Sequence, residues 1–202
     1  VTGPLRLKSF VNLHLQEGSL LQYVKDRDAY PVVETTWEGK AAYRCHAPIW
    51  CTDCTDVAIT GQGMIDGAGD IWKSVKRTKL TESQWKQLLS TGGIASKDTW
   101  YPSEQSKFGH ENTHWTNFKA PGKTIDHYIS VRDFLRPNMI SFTNCFGVII
   151  QGVTFKNSPA WTLHPLLSKH ITIKDVQVIN PWFGQNNDAL DLESCSHTLL
   201  DN

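Results

Sequence analysis

The sequence predicts an all-β fold, a parallel β-helix, from three observations. The first is a repeat. Cys54-Thr-Asp-Val-Ala-Ile-Thr-Gly, Cys145-Phe-Gly-Val-Ile-Ile-Gln-Gly, Ser168-Lys-His-Ile-Thr-Ile-Lys-Asp and Cys195-Ser-His-Thr-Leu-Leu-Asp-Asn align. The second is what the repeat contains: a small residue, two linking residues, a short apolar or β-branched strand and a bend. The bend residues Gly61, Gly152, Asp175 and Asn202 are of types that tolerate a left-handed backbone. The third is the period. The last two steps between repeats are 23 and 27 residues, and a period in the twenties built on short strands means a solenoid. The L-x-x-L-x-L-x-x-N pattern of a leucine-rich repeat is absent. Each coil is then three short strands joined by bends, with coils stacked about 4.8 Å apart.

The elements follow in chain order. Leu5-Arg-Leu and Val11-Asn-Leu-His-Leu alternate as strands, and Glu17-Gly18 reads as a turn. Cys54, Cys145, Ser168 and Cys195 share a register, so they are expected as an inward ladder of small residues rather than a disulfide framework. A second ladder is expected at Asp66, Asn157 and Asn180, where stacked polar side chains would bond along the axis. The first step between repeats is 91 residues, so residues 68–135 are read as an insertion within one partial β-helix domain spanning 1–202. In it, Thr81-Glu-Ser-Gln84 followed by Trp85, Leu88 and Leu89 predicts a capping box and a short amphipathic helix, ended by Gly92-Gly93. The rest of the insertion is expected to be irregular. Its Trp72, Trp100, Tyr101, Phe108, Trp115 and Phe118 either form a binding wall or pack against the helix flank.

Alternation also assigns a face. Ile49, Ile140, Leu163 and Leu190 coincide and point inward, so Trp50, Ser141, His164 and Asp191 point outward. Asp188 sits at a bend before its strand, where alternation leaves its direction open. Asp188, Asp191 and Glu193 crowd three carboxylates into six residues. Like charges this close raise one another's pKa, so the cluster is either a strained functional site or a capped bend with a solvated surface.

Composition sets limits. The chain has 202 residues, 40% hydrophobic and 20% charged, with 20 Lys+Arg against 20 Asp+Glu. That describes a globular chain with no basic field for nucleic acid. No apolar run approaches the roughly 18 residues of a membrane span, and no signal peptide is visible. The first residue is Val1, which suggests a processed, excised or incomplete chain. Cys51-Thr-Asp-Cys54 is half of a zinc pattern, but a structural zinc site needs four ligands and no second C-x-x-C follows. No cofactor is expected.

At this point the residues resemble a known family. Gly61-Gln-Gly-Met-Ile-Asp-Gly67, Asn157-Ser-Pro-Ala-Trp-Thr-Leu-His164 and Asn186-Asn-Asp-Ala-Leu-Asp191 are similar, in wording, order and spacing, to the polygalacturonases, glycoside hydrolase family 28. The resemblance implies a right-handed parallel β-helix and inverting hydrolysis of α-1,4-galacturonosyl bonds in pectin. It implies that Asp188 is one of the aspartates that activate water, that Asn186 lines the site, and that Asp191 and His164 contact substrate. The family's Asn-Thr-Asp-Gly pattern reads here with Asn187 for Thr and Ala189 for Gly. An inverting hydrolase needs an acid and a base roughly 6.5–9.5 Å apart. The family's later Asp-Asp, Gly-His-Gly and Arg-x-Lys motifs are absent from these residues. The chain is therefore expected to be the N-terminal part of such an enzyme and inactive alone, with an open last coil prone to self-association. If the insertion walls the cleft, it would favour chain-end cleavage. The partner is expected to be a pectic polysaccharide, met in a secreted, periplasmic or cell-surface location. Two other readings remain. One is a calcium-dependent lyase using Asp188, Asp191 and Glu193. The other is a sugar-binding module using Trp50, Trp161 and Trp182.

Overall fold

Short runs of alternating apolar residues close into three parallel sheets. The computed structural model describes residues 1–201; Asn202, the last bend residue of the repeat, lies outside them. The first sheet stacks Leu5–Arg6, Ile49–Thr52, Ile140–Thr143 and Leu163–Leu166. The second stacks Asn12–Leu15, Thr55–Gly61, Phe146–Gln151, Lys169–Lys174 and Ser196–Asp201. The third stacks Leu20–Gln22, Met64–Asp66, Thr154–Lys156 and Gln177–Ile179. Strands visit the three sheets in turn, which is a parallel β-helix.

Register produces the core. Leu5, Ile49, Ile140, Leu163 and Leu190 lie in one row across the first sheet. Ile59, Ile150 and Ile173 do so in the second, and Ile65, Phe155 and Val178 in the third. All join one buried cluster, and each fully buried aliphatic contributes about 1.5–3 kcal/mol. The cysteine register is inward as expected: Cys54, Cys145 and Ser168 are buried and Cys195 half-buried. Ser168 Oγ accepts from the Cys145 N–H at 3.0 Å and donates to the Leu166 carbonyl at 2.9 Å.

The bends hold left-handed residues, and there are more of them than the repeat announced. Gly61, Gly152 and Asp175 have φ of 110°, 77° and 52°. Two further positions per coil do the same: Asp53, Asn144, Leu167 and Ser194 in one row, and Asp56, Gly147, His170 and His197 in another. A non-glycine residue there costs roughly 1–2 kcal/mol. The stacked strands offset that strain by pairing every coil with its neighbour. Gly152 is one of the positions where glycine is required twice over. Besides its φ, a Cβ there would lie 2.5 Å from the Gly61 carbonyl oxygen.

The second polar ladder is displaced by one residue. Thr60 pairs with Gln151, yet Met64 pairs with Thr154, so the earlier coil carries one extra residue in its bend. The N–H groups of Gln62 and Gly63 both donate to the Leu15 carbonyl there. Asp66 therefore faces Lys156, while Asn157 follows Lys156 and Asn180 follows Ile179 in shared register. Asn157 still bonds along the axis as expected, its Nδ2 donating to Asp66 Oδ1 at 3.4 Å, and it also donates to Asp70 Oδ1 at 2.9 Å.

Two segments leave the coils. One was not expected: Val32–Trp37 and Lys40–Cys45 form an antiparallel hairpin. Its turn, Glu38-Gly39, has φ of 50° and 72°, the twist that two-residue hairpin loops prefer. The other runs from Gly67 to Met139. Its helix Glu82–Ser90 has the capping box, with the Gln84 N–H on Thr81 Oγ1 and the Thr81 N–H on Gln84 Oε1. The remainder is not irregular, which corrects the expectation. It contains helices Glu104–Glu111, Thr113–Thr116 and Ile125–Ile129 and a small antiparallel sheet of Val75–Lys76, Ile94–Ser96 and Thr99–Tyr101. These elements are held by tertiary packing: Tyr30, Val32 and Tyr43 pack with Trp72, Tyr128 and Leu135 in a second core shared with the hairpin. Short helices of this length gain little from propensity alone.

Candidate active site

The segment Asp188–Glu193 is laid along the strand Leu163–Leu166 by backbone bonds. Thr162 N–H donates to Asp188 O at 2.8 Å and Leu163 N–H to Ala189 O at 3.1 Å. In return, Asp191 N–H donates to Leu163 O at 2.9 Å and Glu193 N–H to Pro165 O at 3.1 Å. Leu190 packs against the core, so the residues on either side of it are turned outward. Asp188 is exposed, so its carboxylate is in solvent. Asn186 is exposed too, in a left-handed conformation with φ of 54°.

Asp191 is half-buried, and its Oδ2 is shielded from solvent with no hydrogen-bond partner. Burial, reinforced by the charges of Asp188 and Glu193, raises its pKa to about 6. A carboxyl group in that state carries a proton in mildly acidic solution and can donate as well as accept.

His164 lies in the outward row beside Ser141 and Trp50, yet it is only 3% exposed. The hairpin explains this. Trp37 near its tip stacks on Trp161 with centroids 4.2 Å apart and planes at 12°. Trp161 in turn meets the His164 ring edge-on at 5.3 Å. His164 Nε2 contacts Glu193 Oε2 at 3.0 Å. His164 thus sits on the floor of a cavity of about 260 Å³ between the hairpin and the first sheet, which Trp50 and Asn138 also line. Of the three tryptophans considered as sugar platforms, Trp161 is covered by Trp37. Trp50 is half-buried against His46 at 4.1 Å, and Trp182 is 63% exposed.

Sequence reasoning missed the arginines beside this site. Arg136 donates to Pro159 O at 3.3 Å, Gln185 O at 2.9 Å and Asn186 Oδ1 at 2.9 Å, so it fixes the loop that carries Asn186. Arg44, on the hairpin, is 7% exposed and lies over the Trp37 ring at 4.5 Å. The available signal was Trp37-Glu-Gly-Lys40 after the β-branched run Val32-Val-Glu-Thr-Thr36, a hairpin pattern. Among the described residues no three His, Cys, Asp or Glu side chains converge as a metal-binding set, and no helix is long and apolar enough to cross a membrane.

No family model matches the chain. It is 25% identical over 207 residues to a probable polygalacturonase of Vitis vinifera, an alignment covering 100% of this chain and 32% of the relative. The hyperthermoactive exopolygalacturonase of Thermotoga maritima superposes with a TM-score of 0.63 at 27% identity, over 98% of this chain and 40% of that one. The family 28 exopolygalacturonase of Yersinia enterocolitica superposes with a TM-score of 0.65 at 18% identity, over 98% of this chain and 34% of that one. The chain thus spans about a third of the length of the curated relative it matches. Sequence and fold agree with the resemblance carried by the Asn186–Asp191 motif: the chain is a polygalacturonase-like parallel β-helix, similar along its whole length to a part of those enzymes.

Proposed function

We propose that the chain carries part of the active site of a pectin-degrading glycoside hydrolase that cleaves α-1,4-galacturonosyl linkages with inversion. The observation that carries this reading is the carboxylate cluster on the outer face of the first sheet. An exposed Asp188 stands two positions from Asn186, beside an Asp191 whose pKa is raised to about 6. Asp188 is the base that activates water. Asn186 and Asp191 bind the sugar, with Asp191 donating its proton to a sugar oxygen. His164 acts from beneath, holding Glu193 in place. Inversion needs a general acid as well, and the resemblance assigns it to an Asp-Asp pair that these residues do not include. The isolated chain therefore binds but does not turn over pectin. Its polymeric substrate places the reaction outside the cytoplasm, in a secreted, periplasmic or cell-surface setting. The hairpin and the helices Glu104–Glu111 and Thr113–Thr116 line the cavity that Asn186 borders and favour action at chain ends, in keeping with the Thermotoga maritima exopolygalacturonase it resembles.

The test uses this chain and the reading frame that encodes it, taken to its natural start and stop. Both are incubated with polygalacturonate, with and without EDTA, scoring reducing ends and unsaturated product. Reducing ends from the full reading frame, unaffected by EDTA and reduced by about 10²–10⁴ in Asp188→Asn, support the proposal. Unsaturated product abolished by EDTA would make the cluster a calcium site of a lyase instead. Binding without turnover in the full reading frame would make it a sugar-binding module.

A further inference from the structure

Arg44 and Arg136 are placed unusually for cations. Neither forms an ion pair among the described residues. Arg44 is buried, and its guanidinium donates to backbone carbonyls alone: Tyr43 O at 3.1 Å, Thr116 O at 3.5 Å and Asn117 O at 3.0 Å. Arg136 spends three donors on two carbonyls and the Asn186 amide oxygen. A guanidinium has five N–H donors, so each retains unused ones. Taking a charge out of water without a counter-charge costs several kcal/mol. Burial pushes both pKa values down to about 10, and Arg136 adds to the effect on Arg44. Both remain cationic at neutral pH.

The two arginines line one cavity of about 270 Å³, between the hairpin and the helices Glu104–Glu111 and Thr113–Thr116. Trp37 supplies an aromatic wall, and Asn186 stands at its edge. His110 lines it as well, its pKa lowered by burial and then by Arg136 and Lys76, so the positive charge of the cavity rests on the two arginines. Glu38, exposed at the hairpin turn, is the one carboxylate on the lining, and it is not paired with either arginine. Ligand pockets span roughly 300–1,000 Å³, so this one takes a single small anionic unit. Paired guanidinium groups with free donors match a carboxylate in charge and geometry.

We propose that this cavity is a carboxylate-binding subsite, in which Arg44 and Arg136 hold the carboxylate of one uronic acid unit next to Asn186. It rests on the proposed function for the identity of the sugar, and on the unpaired arginines for the site itself.

The test measures binding of digalacturonate and of neutral galactobiose to this chain by NMR titration and calorimetry. Two substitutions leave the arginines untouched. Thr113→Asp puts a carboxylate on the exposed first turn of a helix at the cavity, where acids are tolerated. It is expected to weaken digalacturonate binding about tenfold or more through like-charge repulsion. Glu38→Gln removes the native competitor and is expected to tighten binding about two- to threefold. Arg44→Gln, checked for folding by its NMR spectrum, is expected to weaken binding at least about tenfold, and galactobiose should bind to none of the proteins. Digalacturonate binding that ignores all three substitutions would overturn the subsite while leaving the proposed function standing. Equal binding of galactobiose would overturn the carboxylate role. Loss of hydrolysis in Asp188→Asn, measured separately, reports on the proposed function alone.

Discussion

The indoles of Trp37 and Trp161 stack face to face, with centroids 4.2 Å apart and planes at 12°. Trp37 belongs to a hairpin outside the coils, and Trp161 belongs to the coil that carries His164. This contact joins the hairpin to the coil beneath it, beside the core that the hairpin shares with the insertion. It also turns an outward-facing histidine into a buried one.

Replacing Trp37 with alanine should therefore loosen the hairpin. A half-buried aromatic in such a stack contributes roughly 1–3 kcal/mol through burial and ring contact, so denaturant unfolding should show a loss of that order. His164 should also become reactive to diethyl pyrocarbonate while the coils stay folded. An unreactive His164 in a destabilised variant would show that the hairpin is held by other contacts.

Asp191 should make stability depend on pH in an unusual direction. Its pKa is raised from 3.8 to about 6 by burial and by Asp188 and Glu193. Between those values the folded chain binds more protons than the unfolded one, so stability falls as pH rises. The contribution is fully present below about pH 4 and lost as pH passes about 6. Urea unfolding of the wild type and Asp191→Asn across pH 4–7 should show the variant gaining relative stability through that window. A carbonyl NMR titration placing Asp191 near pH 4 would refute the shift.

Glu193→Ala should cost more than a surface substitution. It removes the partner of His164 Nε2, 3.0 Å away on a ring that is 3% exposed. A buried polar atom left unpaired costs about 1–3 kcal/mol. Glu193→Gln retains an acceptor and should lose less than half as much by the same unfolding measurement. Equal losses would mean that a neutral acceptor does not suffice and that the negative charge of Glu193 carries the effect.

The strand Ser196–Asp201 pairs along one edge only among the described residues, and an apolar hollow lined by Leu163, Ile173, Val178, Leu190 and Leu200 lies beside it. An unpaired edge of this kind recruits another strand. The isolated chain should self-associate at micromolar concentration by light scattering, and Leu200→Lys should shift it toward monomer. A wild type that stays monomeric would contradict this.

The coils could be read directly because their physics is local and repetitive. One residue's inward or outward turn follows from alternation, and a parallel stack places equivalent residues over one another. Hence Ile49, Ile140, Leu163 and Leu190 fall in one row by alternation alone, and the pairing agrees. The same logic failed by one residue at Asp66, because an extra bend residue at Gln62–Gly63 changes the count without changing the pattern. Asn186, Asp188 and Asp191 were singled out by motif and crowding. Their environments came from elsewhere in the chain: the solvent-shielded Oδ2 of Asp191, the grip of Arg136 on Asn186, and the burial of His164. Those depend on which surfaces meet when the hairpin at 32–45 and the helices at 104–129 fold back over the coils. Such contacts join residues as far apart as Trp37 and Trp161 through side-chain packing, and side-chain packing has no period for a sequence to display. Alternation and spacing wrote the scaffold; long-range burial set the charge and access of the groups upon it.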